Sequence, residues 1–452
     1  MIANAQYVLI AGALIVPLFD MLRRALKFGS ARPVHILTIA VLLLALVSEL
    51  IFGNMQSALF GSAQYSYFIN GFILSLSVLI FSFMVLHLDD LNTYMDPLFL
   101  IAVLGATLTV ISSNFLSLII SLEMMTIPSY ALVMIFKDKR HLEGAFKYLF
   151  ISLLSIALLM FGSSLIYLSS GSLSFLSVSS VNYLFFLPGI AVVLAGVSYE
   201  AVIVPFHSWA PDTYDAADST VTAFLSSVLK AAALIAIIHI FTYAFPLAER
   251  FMLTTLMTIA IATIIIPSIT AISQSKLKRM LIYSSIAQSG FAFVGVSLLS
   301  TLSVYSAVFY VFAFATADAL VFLSLSMLEK RGVSDISDLG RLRGLDKVPL
   351  IGLGAGLLSL AGFPPTIGFF GKLLIFLSLI FQGYTWIVII LIALLLFSTF
   401  YYYNVFRNMY RRGQVRTLIK TIKPEPKSRL EGSIIAILTA MLFIGIIFLS
   451  GA

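Results

Sequence analysis

The chain has 452 residues, of which 60% are hydrophobic and 10% charged, with a net charge of +7 and no cysteine. A soluble domain carries about 25% charged residues, so this composition favours a protein whose natural solvent is lipid. The absence of cysteine excludes disulfides, cysteine-ligated iron–sulfur clusters and thiolate zinc sites in this chain. The sequence also contains neither a Walker loop nor a dinucleotide-binding glycine motif.

Hydropathy predicts an all-α polytopic membrane protein, because each apolar run is about as long as a helix that crosses a bilayer. The first run begins almost at Met1 without a charged leader, and we interpret it as a retained helix. We predict about fourteen transmembrane spans, at residues 4–22, 33–53, 67–87, 97–113, 115–136, 147–169, 183–204, 219–245, 251–272, 280–300, 303–328, 349–381, 384–406 and 433–450.

Two of the predicted spans are interrupted by proline. The twelfth contains Pro364 and Pro365, which must break its hydrogen-bond ladder, and the seventh runs into Pro205 and a polar stretch. Broken helices at corresponding places in two halves indicate an inverted-repeat transporter. We therefore predict two inverted five-helix repeats. The expected segments are a three-helix segment at 1–96, a first repeat at 97–250, a second repeat at 251–410, and a basic linker with a C-terminal helix at 411–452.

The basic residues predict the orientation. If the chain starts outside, 24 of the 27 Lys and Arg residues fall in inner loops, Arg250 lies outside, and Lys230 and Lys372 lie within spans. This asymmetry follows the positive-inside rule, so both termini are expected outside and the positive charge indicates a membrane surface rather than nucleic acid. The basic linker at 411–430 is predicted either to lie along the membrane surface or to be a solvated loop.

Ionisable side chains within spans are costly, at least about 2.5 kcal/mol each, and such positions are functional candidates. Glu123, Glu200, Lys230 and Lys372 are the main candidates for a proton relay, because a carboxylate that approaches or leaves a buried lysine makes the lysine bind or release a proton. The structural alternative is that such a pair only holds two helices together. For two further positions, Asp318 and His239, the structural alternative has equal weight; His239 could simply bond to a serine or a backbone carbonyl.

Five segments then resemble a known family. They are "SLEMMTIPSYALV", "EGAFKYLFISLLSIALLMFGSSLIY", "VPFHSWAPDTYDAADSTVTAFLSSVLKAAA", "LKRMLIYSSIAQSGFAFVG" and "GFPPTIGFFGK". Together they resemble the antiporter-like membrane subunits of respiratory complex I, most of all the subunit N (subunit 2) type.

The resemblance implies a fourteen-helix fold with two inverted five-helix repeats and assigns roles to four residues. It places Glu123 on the fifth helix, Lys147 at the start of the sixth, Lys230 at the central relay position and Lys372 on the broken helix near proton exit. It also implies other membrane-arm subunits, and flavin and iron–sulfur clusters in peripheral partner subunits. We expect the location to be the plasma membrane of a prokaryote. Quinone or another acceptor would bind elsewhere in the complex.

The sequence departs from the family pattern at two positions. Glu200 stands where the family usually has a lysine, and Gln288, which cannot titrate, stands where related sequences often have histidine. Asp318 is an additional acid that could compensate for the altered charge.

Three functions remain open at this point. The chain could be a proton-translocating subunit of a redox-driven complex, a subunit of a multi-subunit Mrp-type cation/proton antiporter, or a scaffold that does not pump. The electron donor and acceptor are not encoded here, because redox chemistry would belong to other subunits.

Overall fold

The computed structural model describes residues 4–27, 29–52, 66–88, 91–136, 138–175, 182–244, 249–298, 300–342, 347–410 and 429–444. Within these ranges the regular elements are all helices, which turns and loops connect, and two isolated β-bridges are also present. The helices are α1 (Asn4–Ala25), α2 (Arg32–Phe52), α3 (Ser66–His87), α4 (Met95–Val110), α5 (Phe115–Val133), α6 (Lys139–Ser170), α7 (Tyr183–Glu200), α8 (Ala210–Ala216), α9 (Ser219–Phe224), α10 (Lys230–Ala244), α11 (Glu249–Ile272), α12 (Leu277–Ser297), α13 (Thr301–Glu329), α14 (Val348–Ala361), α15 (Ile367–Phe381), α16 (Thr385–Tyr410) and α17 (Arg429–Ile444). A π-helical turn occupies Leu225–Leu229, and a 3-10 helix occupies Ile336–Leu342.

Within the described ranges, eleven helices are long and apolar enough to cross a membrane, and α4, α14 and α15 are shorter apolar helices. The all-helical membrane fold predicted from the sequence is therefore confirmed, while the exact number of crossings and the inverted repeats stay predictions. The basic linker at 411–428 lies outside the described residues.

The chain divides into two compact units. Unit 1 contains residues 1–202 and 212–249, and unit 2 contains residues 203–211 and 250–452. The sequence predicts four segments on the basis of helix repeats, and that division stays a prediction.

In unit 1 the first helices are held by buried polar contacts as well as by apolar packing. His35 on α2 lies 2.9 Å from a carboxylate oxygen of Asp96 on α4, and Thr38 donates a hydrogen bond of 2.7 Å to the same carboxylate. All three side chains are buried. Asp96 is thus paired, as a buried carboxylate must be to avoid a large desolvation cost.

Three irregularities interrupt the helices that carry the candidate residues. α7 ends at Glu200, four residues before the end predicted from hydropathy. The π-helical turn lies between α9 and α10, inside what the sequence predicts as one continuous span. In unit 2, α14 ends at Ala361 and α15 begins at Ile367, so the proline break predicted in the twelfth span is present. Gly362 follows α14 with a φ of +78°, a left-handed conformation that glycine adopts without a Cβ clash.

Unit 2 is organised around α13, which contacts α12, α14, α15 and α17. Most of its side chains, like those of α12, are buried. A helix that is apolar and buried on nearly all sides cannot expose its polar residues to water or lipid. The buried polar side chains of these two helices, Gln288 and Asp318 among them, therefore face protein.

Gly105 provides a test of close helix packing in unit 1. A Cβ at this position of α4 would overlap backbone atoms of Met124 and Met125 on α5, so the two helices must separate in Gly105→Ala. We expect a loss of about 1–3 kcal/mol in the free energy of unfolding, measured by denaturant titration in mixed micelles. Gly71→Ala is the control, because its nearest neighbour would be Leu50 Cδ2 at 3.6 Å, and an equal loss in both variants would contradict the packing argument.

Candidate proton relay site

Glu200 is the most buried acid of unit 1 among the predicted site residues. It is the last residue of α7 and is 8% exposed, and Ser152 on α6 donates a hydrogen bond of 3.3 Å to Glu200 Oε1. α6 and α7 pack along their lengths, and this packing brings the serine to the acid. The sequence correctly placed Glu200 beside a helix end.

The structure brings Glu200 close to Glu123, the acid of α5. Their charges interact, and both also interact with the Tyr130 hydroxyl. The ring of Tyr130 packs edge-on against that of Tyr148, with centroids 4.6 Å apart, and Ser129 donates a hydrogen bond of 3.2 Å to the Tyr148 hydroxyl. Unit 1 thus contains a pair of carboxyl groups surrounded by hydroxyls.

Two carboxylates whose charges interact repel each other, and protonation of either one removes the repulsion. The hydroxyl of Ser152 supplies a hydrogen bond that a carboxyl group can use in either protonation state. A pair of this kind can take up and release one proton.

Lys230 is also in unit 1, and its side chain is 2% exposed. It begins α10 directly after the π-helical turn, and its backbone N–H donates to the carbonyl of Leu225, five residues earlier. A π-helical turn adds a residue to a helical turn and often occurs at functional sites. Sequence reasoning missed this turn, because "LSSVL" carries no proline, glycine or other signal for it.

The two accessory residues of unit 1 have clear local partners. Lys147, partly exposed near the start of α6, forms ion pairs with Glu143 at 2.9 Å and with Asp212 at 3.1 Å. His239 is buried and hydrogen-bonds to the backbone of Val110, at the end of α4. The bond to Val110 corresponds to the structural alternative for His239; the relay roles of both residues stay predictions.

In unit 2 the helix break creates a site for the ammonium group of Lys372. The last carbonyls of a helix lack partners in the following turn, and the end of α14 leaves the Leu360 carbonyl available. Lys372, on α15, is 2% exposed and donates a hydrogen bond of 2.5 Å to that carbonyl. Its Nζ also lies 4.7 Å from the ring centroid of Phe291, a distance typical of a cation–π contact.

Two other positions that the sequence singled out, Asp318 and Gln288, also lie in unit 2 and are buried. Asp318 accepts a hydrogen bond from Ser285, and Gln288 hydrogen-bonds to the hydroxyls of Tyr310 and Tyr402. Sequence reasoning missed both tyrosines. Tyr402 belongs to an aromatic cluster that resembles an interfacial belt, and only its burial distinguishes it from its neighbour Tyr403.

The chain was compared with known protein families and with curated proteins. Residues 112–399 match the family described as "NADH:quinone oxidoreductase/Mrp antiporter, TM". The chain is similar to NADH-quinone oxidoreductase subunit N of Moorella thermoacetica, with 33% identity over 69% of this chain and 67% of that protein. It is 30% identical to NAD(P)H-quinone oxidoreductase subunit 2 of Trichormus variabilis, over 90% of this chain and 82% of that protein.

Three solved structures share the fold. One chain of respiratory complex I from Thermus thermophilus superposes with a TM-score of 0.84 and 22% identity, covering 98% of this chain and 97% of that one. A chain of the archaeal membrane-bound sulfane sulfur reductase has a TM-score of 0.85 at 22% identity, and a chain of the Mrp complex from Dietzia has 0.85 at 18%. These two superpositions each cover 99% of this chain and 95% of the other.

The contact between Lys372 and Phe291 can be measured by a double-mutant cycle. Phe291→Leu removes the aromatic face but leaves an apolar side chain, and Lys372→Met removes the cation. We expect the loss of unfolding free energy caused by Phe291→Leu to be larger, by roughly 0.5–2 kcal/mol, with Lys372 present than in the Lys372→Met background. Equal losses in the two backgrounds would show that the ring acts only by packing.

Proposed function

Because the chain belongs to the NADH:quinone oxidoreductase/Mrp antiporter family of membrane subunits, we propose that it is a proton-translocating membrane subunit of a redox-driven complex. The observation that carries this proposal is that buried ionisable side chains lie within or beside apolar helices, and that three of them adjoin a helix irregularity. Protons would move through a relay of Glu123, Glu200, Lys230 and Lys372. The chain itself performs no electron transfer in this scheme.

The cost of these groups favours a function over simple helix attachment. Each charged group at depth costs at least about 2.5 kcal/mol, and irregular backbone at depth is tolerated only where it faces protein or a water-filled cavity. Glu200 ends α7, Lys230 follows the π-helical turn, and Lys372 follows the break after α14. A purely structural link would not need a charge beside each interruption.

The proposed sequence of proton transfers begins at the carboxyl pair of unit 1. Glu200 replaces the family's usual lysine, so the pair would be loaded by taking up a proton instead of by neutralising an ammonium group. Proton entry from the inner side near Glu200 would be followed by transfer to Lys230, and Lys372 would deliver protons to the outer side. Lys147, His239 and Asp318 would be accessory groups.

We further propose the partners and the location. Other antiporter-like and membrane-arm subunits would lie beside this chain in the plasma membrane of a prokaryote, with both termini outside. Peripheral subunits would carry flavin and iron–sulfur clusters, and quinone or another acceptor would bind elsewhere in the complex. The similarity to subunit N and subunit 2 proteins supports the partner assignment. The uneven distribution of Lys and Arg supports the orientation.

A second candidate is a subunit of an Mrp-type cation/proton antiporter. The family description includes this class, and a chain of the Dietzia Mrp complex has the same fold. Native purification separates the two: flavin and iron–sulfur subunits that copurify support the redox-driven complex. Sodium/proton exchange in vesicles without a redox substrate supports the antiporter.

Lys230→Met tests the proposed relay. The variant keeps the length of the side chain but cannot bind a proton, so the complex should assemble and lose proton pumping through this subunit. The measurement is the number of protons pumped per electron in vesicles that contain the purified complex. Lys276→Met, which removes an exposed lysine, is the control and should pump normally; normal pumping by both variants would favour a scaffold that does not pump.

The proposed orientation can be tested by thiol labelling, because the chain has no cysteine of its own. Gly29→Cys lies in an exposed loop that we assign to the inner side, and Gln382→Cys in an exposed loop that we assign to the outer side. An impermeant maleimide should label only Gln382→Cys in intact cells, and both variants after permeabilisation. The opposite pattern in intact cells would reverse the orientation.

A further inference from the structure

A buried chain of polar side chains crosses the interior of unit 2. Tyr310 on α13 donates a hydrogen bond to Gln288 Oε1, and Gln288 Nε2 donates a hydrogen bond of 2.9 Å to the Tyr402 hydroxyl. The Tyr402 hydroxyl in turn lies 2.5 Å from Ser284 Oγ. We call Tyr310, Gln288, Tyr402 and Ser284 the Gln288 chain; each is at most 1% exposed.

The two ends of the Gln288 chain lie near opposite charges. At one end, Lys372 Nζ is 6.0 Å from the centre of the Tyr310 ring. At the other end, Ser284 is followed by Ser285, whose hydroxyl donates to Asp318 Oδ2. Tyr310 is also close enough to Asp318 for the two groups to interact electrostatically.

The two hydrogen bonds of Gln288 run in one direction. Gln288 accepts at its carbonyl and donates at its nitrogen, so Tyr310 must donate to it and Tyr402 must accept from it. Either hydroxyl can donate in the bond between Tyr402 and Ser284, and donation by Tyr402 would continue the same direction. The negative ends of the aligned dipoles face the side of Lys372 and their positive ends face the side of Asp318, an arrangement that an ammonium group and a carboxylate both stabilise.

An amide differs from a histidine ring in how it can serve such a chain. Histidine can bind a proton at one nitrogen and release it from the other, but the amide of Gln288 has no titratable nitrogen. A proton therefore has no simple route through Gln288. The chain is suited to transmit a change of charge by polarisation rather than to conduct protons.

We propose that Asp318 is a relay group of unit 2, and that the Gln288 chain couples its charge to that of Lys372. This inference rests on the proposed function and adds a second acid and a coupling device to it. When Lys372 passes its proton toward the outer side, its ammonium becomes a neutral amine. The Asp318 carboxylate then loses a stabilising positive charge and takes up one proton from water, which it releases when Lys372 is protonated again.

The direct test follows the protonation of Asp318 by infrared spectroscopy of the whole complex. The carboxylic acid band of Asp318 is identified by its loss in Asp318→Asn. We expect Lys372→Met to increase this band, because removal of the cation leaves the carboxylate without its partner. In the Gln288→Leu background the same substitution should leave the band unchanged, and Gln288→His, which keeps one donor and one acceptor, should restore the response.

Pumping measurements provide the second readout. Asp318→Asn and Tyr310→Phe should each lower the number of protons pumped per electron. Ser306→Ala is the matched control for Tyr310→Phe, because it also removes a buried hydroxyl from α13. Within the described residues that hydroxyl bonds only to the backbone carbonyl of Ser303, on the same helix, so the variant should pump normally.

The outcomes separate this inference from the proposed function. If Lys230→Met abolishes pumping while Asp318→Asn pumps normally, the relay stands and the role of Asp318 is wrong. An Asp318 band that does not respond to Lys372→Met would overturn the coupling through Gln288. If Lys230→Met itself pumps normally, the proposed function fails first.

Discussion

The burial of ionisable side chains among apolar helices is the constraint on which the rest of this structure depends. A charge at depth is stable only if nearby groups compensate it, and regular helices offer none because their backbone groups bond to one another. Where a helix is interrupted, backbone groups become available to a buried charge. The end of α14 leaves the Leu360 carbonyl for the ammonium of Lys372, and the end of α7 places Glu200 next to Ser152.

The two units meet this constraint in different ways. Unit 1 brings two acids, Glu123 and Glu200, among serine and tyrosine hydroxyls, so like charges oppose each other unless a proton is held. Unit 2 instead surrounds the cation of Lys372 with the ring of Phe291 and a carbonyl, and gives the carboxylate of Asp318 a serine hydroxyl. In the proposed relay, the acid pair of unit 1 would favour binding of a proton. The surroundings of Lys372 and Asp318 in unit 2 would instead stabilise a cation and an anion that are apart from each other.

The departures from the family pattern are consistent with this difference. Glu200, in place of the usual lysine, gives unit 1 an acidic pair rather than an ion pair. Gln288, in place of a frequent histidine, fixes the direction of two hydrogen bonds between Tyr310 and Tyr402. A histidine can reverse its donor and acceptor by a change of tautomer, whereas an amide can do so only by turning over its side chain. In the proposed relay, both differences from the family pattern would change how charge is handled.

The sequence by itself determined the membrane fold, the approximate positions of most apolar helices, the break at Pro364 and Pro365, and the family. These properties follow from hydropathy, from proline chemistry and from motifs that are local in the chain. It also singled out Glu123, Glu200, Lys230 and Lys372, because a charge in an apolar run is visible without coordinates. Only the tertiary structure decided which of these groups meet, where a π-helical turn interrupts a continuous apolar run, and that Tyr310 and Tyr402 enclose Gln288. Contacts between residues more than a hundred positions apart depend on how the helices pack, and serine, tyrosine and glutamine look the same in sequence whether they line a polar chain or an ordinary helix interface.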